Sequence, residues 1–178
     1  MIEKSDPHYR AIQEFYGDRA AKRSGIPYMH HIDEGLVVLD AIQTSLRAKQ
    51  AYCLHPIVQL DDDLTLALEA SSVLRKHAID PSVLMLAMEY RRVANGYSSR
   101  NTEKTIEKIR LSHLNEVNDM LIGDKVQNRA DFERFHQATH PRSQELSLYF
   151  GNWLRRLGVT EEHYHALVRV IREAERVE

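Results

Sequence analysis

Met29-His30-His31-Ile32-Asp33-Glu34-Gly35-Leu36-Val37-Val38-Leu39-Asp40-Ala41-Ile42 sets apolar side chains at positions 32, 36, 39 and 42. Steps of three and four bring them onto one face of a helix. The residues just before, Arg23-Ser24-Gly25-Ile26-Pro27, are turn formers, so this helix starts near Met29 and carries His30, His31, Asp33 and Glu34 in its first turns. The same period recurs along the chain, and no alternating period-2 run of useful length interrupts it. The fold class is therefore all-α, a compact helical bundle spanning residues 1–178 as one domain.

Working outward, Asp6-Pro7 supplies an N-cap and a first-turn proline for a helix from about Pro7 to Ala21, with Tyr9, Ile12, Phe15 and Tyr16 on its apolar face. A third helix is expected from about Ser45 to His55, ended by Pro56, whose ring disfavours helical geometry in its predecessor. Asp61-Asp62-Asp63 caps a fourth helix reaching about His77, and Asp80-Pro81 starts a fifth that runs to about Gly96. From Thr102 the period continues through Ile106, Ile109, Leu114, Val117, Met120, Leu121 and Val126, enough for two helices, with Gly123 marking a bend or a close backbone approach. Pro141 precedes a helix bearing Leu146, Phe150, Trp153 and Leu154, which Gly158 ends. Thr160 opens the terminal helix.

The chain has 178 residues, 43% of them hydrophobic and 28% charged, and a formal net charge of -2. That length supports an independent core. The near-neutral balance gives no bulk attraction to nucleic acid or an anionic membrane, so any phosphate site must be built locally. Cys53 stands alone, which excludes an internal disulfide and a thiolate zinc cage. The first residues lack the pattern of a signal peptide, and no segment approaches the roughly 20 apolar residues needed to cross a bilayer. The expected location is cytoplasmic, without a membrane partner, and self-association into a homo-oligomer stays open.

His31, His55 and Asp124 lie at a helix start, a helix end and beside Gly123, places from which ligands converge on an interhelical pocket. Imidazole and carboxylate together suit a divalent cation with open positions, which polarises phosphate and activates water. Spacing alone is weak support, because the 10 histidines allow many accidental triples and a histidine is more often solvated or hydrogen-bonded than ligating. Adjacent helical residues point about 100° apart, so the sequence by itself does not choose between His30 and His31.

Three stretches strengthen the case. Gly25-Ile26-Pro27-Tyr28-Met29-His30-His31 resembles the Gly-x-Pro-Tyr-x-x-His segment of the RelA/SpoT-type (p)ppGpp hydrolase domain, within the HD-domain phosphohydrolases. Ala51-Tyr52-Cys53-Leu54-His55-Pro56 is similar to that family's Ala-x-Leu-Leu-His-Asp, and Ile122-Gly123-Asp124-Lys125-Val126-Gln127-Asn128 to its Ala-Asp-Lys/Arg-Leu-x-Asn. The match covers roughly residues 15 to 130. The resemblance implies an HD-type bundle, metal ligation by His31, His55 and Asp124 with Mn2+ as the expected ion, and a nucleotide or small phosphorylated substrate. It also implies that Lys22 and Arg23 face the nucleotide, and Lys125 is a further candidate for neutralising its phosphates.

Two positions depart from the pattern. Pro56 stands where the doublet has Asp, and proline offers no metal ligand. Gln59-Leu60 stand where the hydrolase branch has a Glu-Asp pair that assists the attacking water. Asp61 or Asp62 could compensate, against the plainer role of an acidic run as a solvated helix N-terminus. The expected function is a metal-dependent phosphohydrolase acting on a nucleotide. Its alternative is an inactive HD-like module that binds a nucleotide or a protein.

Overall fold

The computed structural model describes residues 2–22, 24–59, 71–99 and 105–176. The chain is all-helical, with no strand among the described residues and one isolated bridge between Ala20 and Pro27. The helices are α1 Pro7–Tyr16, α2 Tyr28–Ala41, α3 Leu46–Val58, α4 at 71–76, α5 Pro81–Gly96, α6 Asn115–Asp131, α7 Ser143–Arg156 and α8 Glu161–Ala174. None of the described helices is long and apolar enough to cross a membrane. Arg23, Asp61, Asp62 and Asp63, to which roles were assigned above, lie outside the described residues.

Capping follows the sequence closely. Asp6 and Asp80 accept the N–H of His8 and Ser82 at 2.8 and 2.7 Å, and Ser45 and Thr160 accept those of Ala48 and His163, each at 3.1 Å. Helix α1 stops at Tyr16 rather than Ala21, because Gly17 turns into the left-handed region at φ 52° and the chain enters the bridged turn 20–27.

Residues 105–114 form no α-helix despite their apolar period, only a 3-10 turn at Ile106–Lys108. The Asn118 side chain bonds both the N–H and the carbonyl of Ser112, and Ser112 Oγ bonds Glu89, which ties this stretch into a non-helical path. A π-helical turn, Phe132–His136, extends α6.

Pro56 does not end α3, which continues to Val58. A proline inside a helix costs about 3 kcal/mol in isolation. The surrounding core overrides that cost: Ala51, Tyr52, Cys53, Leu54 and His55 are all buried.

Helix α6 occupies the middle of the bundle, packed by α2, α3, α5, α7 and α8. Residues 123 to 127 are all buried, and five consecutive positions at 100° steps cover the whole circumference of a helix. Three of them, Asp124, Lys125 and Gln127, are polar, so the fold must pair them internally. Gly123 is a close approach and not a bend: a β-carbon there would stand 3.1 Å from Leu39 and 3.4 Å from the Gly35 carbonyl of α2.

Candidate metal centre and adjacent cleft

His31 from α2, His55 from α3 and Asp124 from α6 converge. His31 Nε2 lies 3.2 Å from His55 Nε2, and Asp124 Oδ1 lies 3.5 and 3.7 Å from those two atoms. The side chains of His55 and Asp124 are almost fully buried, whereas that of His31 is 20% exposed and forms the opening of the group toward solvent.

Neighbouring bonds fix which ring nitrogens carry protons. His55 Nδ1 sits 2.6 Å from the Tyr52 carbonyl, and a carbonyl only accepts, so Nδ1 carries the proton and Nε2 keeps its lone pair. Gln127 donates its amide to Glu34 and Asp131, each at 2.8 Å, which turns its carbonyl oxygen toward His31 Nδ1 at 2.5 Å. His31 Nδ1 therefore donates, and in the neutral ring its Nε2 presents a lone pair. Two imidazole lone pairs and a carboxylate oxygen face one another, an arrangement that a shared proton or a cation between them makes favourable.

The separations suit a metal. Ligand atoms about 2.1 Å from a common centre in a tetrahedron are separated by about 3.4 Å, close to the three distances here. Hydrogen bonds from the far ring nitrogens to an amide and a main-chain carbonyl are the outer partners that metal-ligating histidines use. The residues present thus fit a divalent cation with three protein ligands and an open side toward His31.

Asp124 is held on both oxygens. Lys125 Nζ donates to Oδ2 at 2.5 Å, and Asn128 donates to Oδ1 at 2.8 Å and to the Asp124 main-chain carbonyl at 2.9 Å. Burial pushes the Asp124 carboxyl up, but the Lys125 ammonium beside it more than offsets this and leaves it well below the usual carboxylate range. Burial likewise acts to lower Lys125, and Asp124 reverses the effect, so the ammonium stays charged above its ordinary range. His55 is pushed down to about 3, first by burial and then by the neighbouring His31, and is neutral at pH 7. The Tyr52 and Tyr90 rings lie 4.6 and 4.8 Å from the His55 ring and limit its rotation.

A cleft of about 370 Å3 opens beside His31, lined also by Ser24, Tyr28, Asn128, Asp131 and His136 among others. Its walls include Ile26, Phe132 and Phe150. Asp131 is raised above its ordinary range by burial, with the charge of Glu34 adding to the effect. Lys22 is exposed on the turn whose Ala21 and Ser24 form part of the cleft wall. Lys125, expected to meet phosphate, is instead buried against Asp124 and the Tyr149 and Trp153 rings and does not line the cleft.

His30 turns away from the centre. Its Nε2 lies 3.0 Å from Glu34 and 3.7 Å from Glu175, and the bond to Glu34 raises its pKa. Asp119 is half-buried and accepts from Thr44 at 2.7 Å. Sequence reasoning assigned no role to Gln127 or Tyr52. Helical spacing carries a signal for both, since Gln127 and Tyr52 stand three residues from Asp124 and His55 on shared helix faces.

No family model matches this chain, and no curated protein or solved structure matches it either.

Proposed function

We propose that the chain is a metal-dependent phosphohydrolase of HD type, acting on a nucleotide or a related phosphate ester or anhydride seated in the cleft beside His31. The observation that carries this reading is the convergence of three lone-pair donors with their tautomers fixed from outside, at the inner edge of a cleft of ligand-binding size. His31, His55 and Asp124 would hold the divalent cation, Mn2+ or a four-coordinate alternative such as Zn2+. When bound, the cation supplies Lewis-acid polarisation of a phosphoryl oxygen and lowers the pKa of water.

The chain's own residues do the rest. Asn128 and Lys125 hold the Asp124 carboxylate in one orientation, and Gln127 holds His31. Asp131, in the cleft wall and raised in pKa, is the carboxylate placed to take a proton there, a role the sequence assigned to Asp61 or Asp62. Tyr28, Phe132 and Phe150 offer aromatic surface for a base, and Lys22, with Arg23 nearby in sequence, adds positive charge near the opening.

One observation favours a second reading, a binding module without turnover. Pro56 offers no ligand, and Gln59 stands where a carboxylate would assist the attack. Elemental analysis after incubation with Mn2+ or Zn2+, on the wild type and on His55→Ala, tests both. Stoichiometric metal in the wild type alone, followed by phosphate release from a nucleotide panel, is the expected result. Metal without phosphate release favours the binding module, and no metal under either condition overturns the centre.

A further inference from the structure

We propose that Pro56 is a positioning residue for the candidate metal centre: by withholding an N–H from the Tyr52 carbonyl it reserves that carbonyl for His55 Nδ1. The lone pair of His55 Nε2 is thereby held toward His31 and Asp124. The inference rests on reading this centre as a cation site.

Within an α-helix the N–H of residue 56 bonds the carbonyl of residue 52. Pro56 lies inside α3, two residues before its end, and has no N–H to give. Tyr52 is fully buried, so its carbonyl needs a donor from within the protein. The donor present is His55 Nδ1 at 2.6 Å, three residues farther along the same helix. The proline and the histidine are thus complementary: one vacates an acceptor and the other fills it.

The consequence reaches the centre because the imidazole ring has a single proton when neutral. With Nδ1 protonated, Nε2 is bare and lies 3.2 Å from His31 Nε2. A residue with an N–H at position 56 competes for the Tyr52 carbonyl. His55 is then free to carry its proton on Nε2, where it blocks ligation. The residue that removes a ligand from the doublet therefore orients the ligand beside it.

Nitrogen-15 NMR of the metal-free protein with labelled histidine reads the tautomer directly, with His55→Gln identifying the His55 signals among the 10 histidines. Titration with Zn2+ and Mn2+ measures affinity in parallel. Wild type is expected to show one His55 tautomer, protonated at Nδ1. Pro56→Ala is expected to show a mixture and an affinity about 10- to 100-fold weaker, the usual effect of losing an outer partner.

An unchanged tautomer in Pro56→Ala overturns the proposal, as does a mixed tautomer with unchanged affinity. Absence of metal binding by the wild type overturns the metal reading instead, and the NMR arm still decides whether Pro56 sets the proton. Pro56→Ser, which also restores the N–H, is read in the same way if the alanine variant does not fold.

Discussion

A β-carbon on Gly35 would stand 2.0 Å from the Tyr52 hydroxyl and 2.3 Å from its ring, so the bare backbone of α2 is what admits the tyrosine that packs beside both histidines. Gly35→Ala gains about 1 kcal/mol of helix propensity but forces the aromatic ring to move, and overpacking of this kind costs roughly 1–3 kcal/mol or more. The net expectation is a lower unfolding midpoint in urea and weaker metal binding. Tyr52→Phe should not rescue it, because the ring carbon clashes as well as the hydroxyl. Full stability in Gly35→Ala would contradict this packing.

His30 and His31 should separate cleanly. His31→Ala is expected to abolish stoichiometric metal binding, whereas His30→Ala leaves it within a few-fold of wild type, since His30 faces Glu34 and Glu175. Metal content by elemental analysis checks both, and loss in the His30 variant alone would reverse the assignment.

Acid should weaken the metal-free protein through His55. Its pKa is about 3 when folded against 6.5 ordinarily, so between those values the unfolded chain binds more protons. Stability is then fully present above about pH 6.5 and falls as the pH drops toward 3, by up to roughly 1.4 kcal/mol per pH unit for one group. Asp124, also depressed, adds to the loss only at the acid end of that range. Thermal melts at pH 7, 5.5 and 4.5 in a chelator should show a smaller acid loss for His55→Gln. Equal slopes would remove His55 as the cause.

Lys125→Met should destabilise sharply. The methionine fills the space against Tyr149 and Trp153 but leaves Asp124 without its closest cation, and breaking a buried pair in this way typically costs 3–5 kcal/mol. Urea unfolding measures it. The double variant with Asp124→Asn should recover part of the loss, because the uncompensated charge goes with the carboxylate.

The sequence carried most of the helices. Asp80-Pro81 and Gly96 bounded α5 as observed, and the apolar faces at Ile32, Leu36 and Leu39 or at Phe150, Trp153 and Leu154 point into the core. Local rules failed where distant contacts intervene. Pro56 reads as a helix end because the core holding α3 together is invisible in neighbouring residues, and Ile106 to Leu114 read as helix because the tie between Ser112 and Asn118 across a turn is not periodic. Within the centre, the three candidate ligands were legible as motifs. The bonds that set their protons were not, since Gln127 and His31 are 96 positions apart.

That span has a consequence for how the centre comes together. His55 takes its proton donor geometry from its own helix, so this half is complete as soon as α3 has formed its last turn. His31 acquires its partner only when α2 docks against α6, where Gly123 lets the α6 backbone approach Leu39 and the Gly35 carbonyl of α2. The exchange rate of the His31 Nδ1 proton with water therefore reports the docking of those two helices, and that of His55 Nδ1 the integrity of a single one. Two imidazoles 3.2 Å apart are thus separate clocks for the secondary and the tertiary stage of assembly.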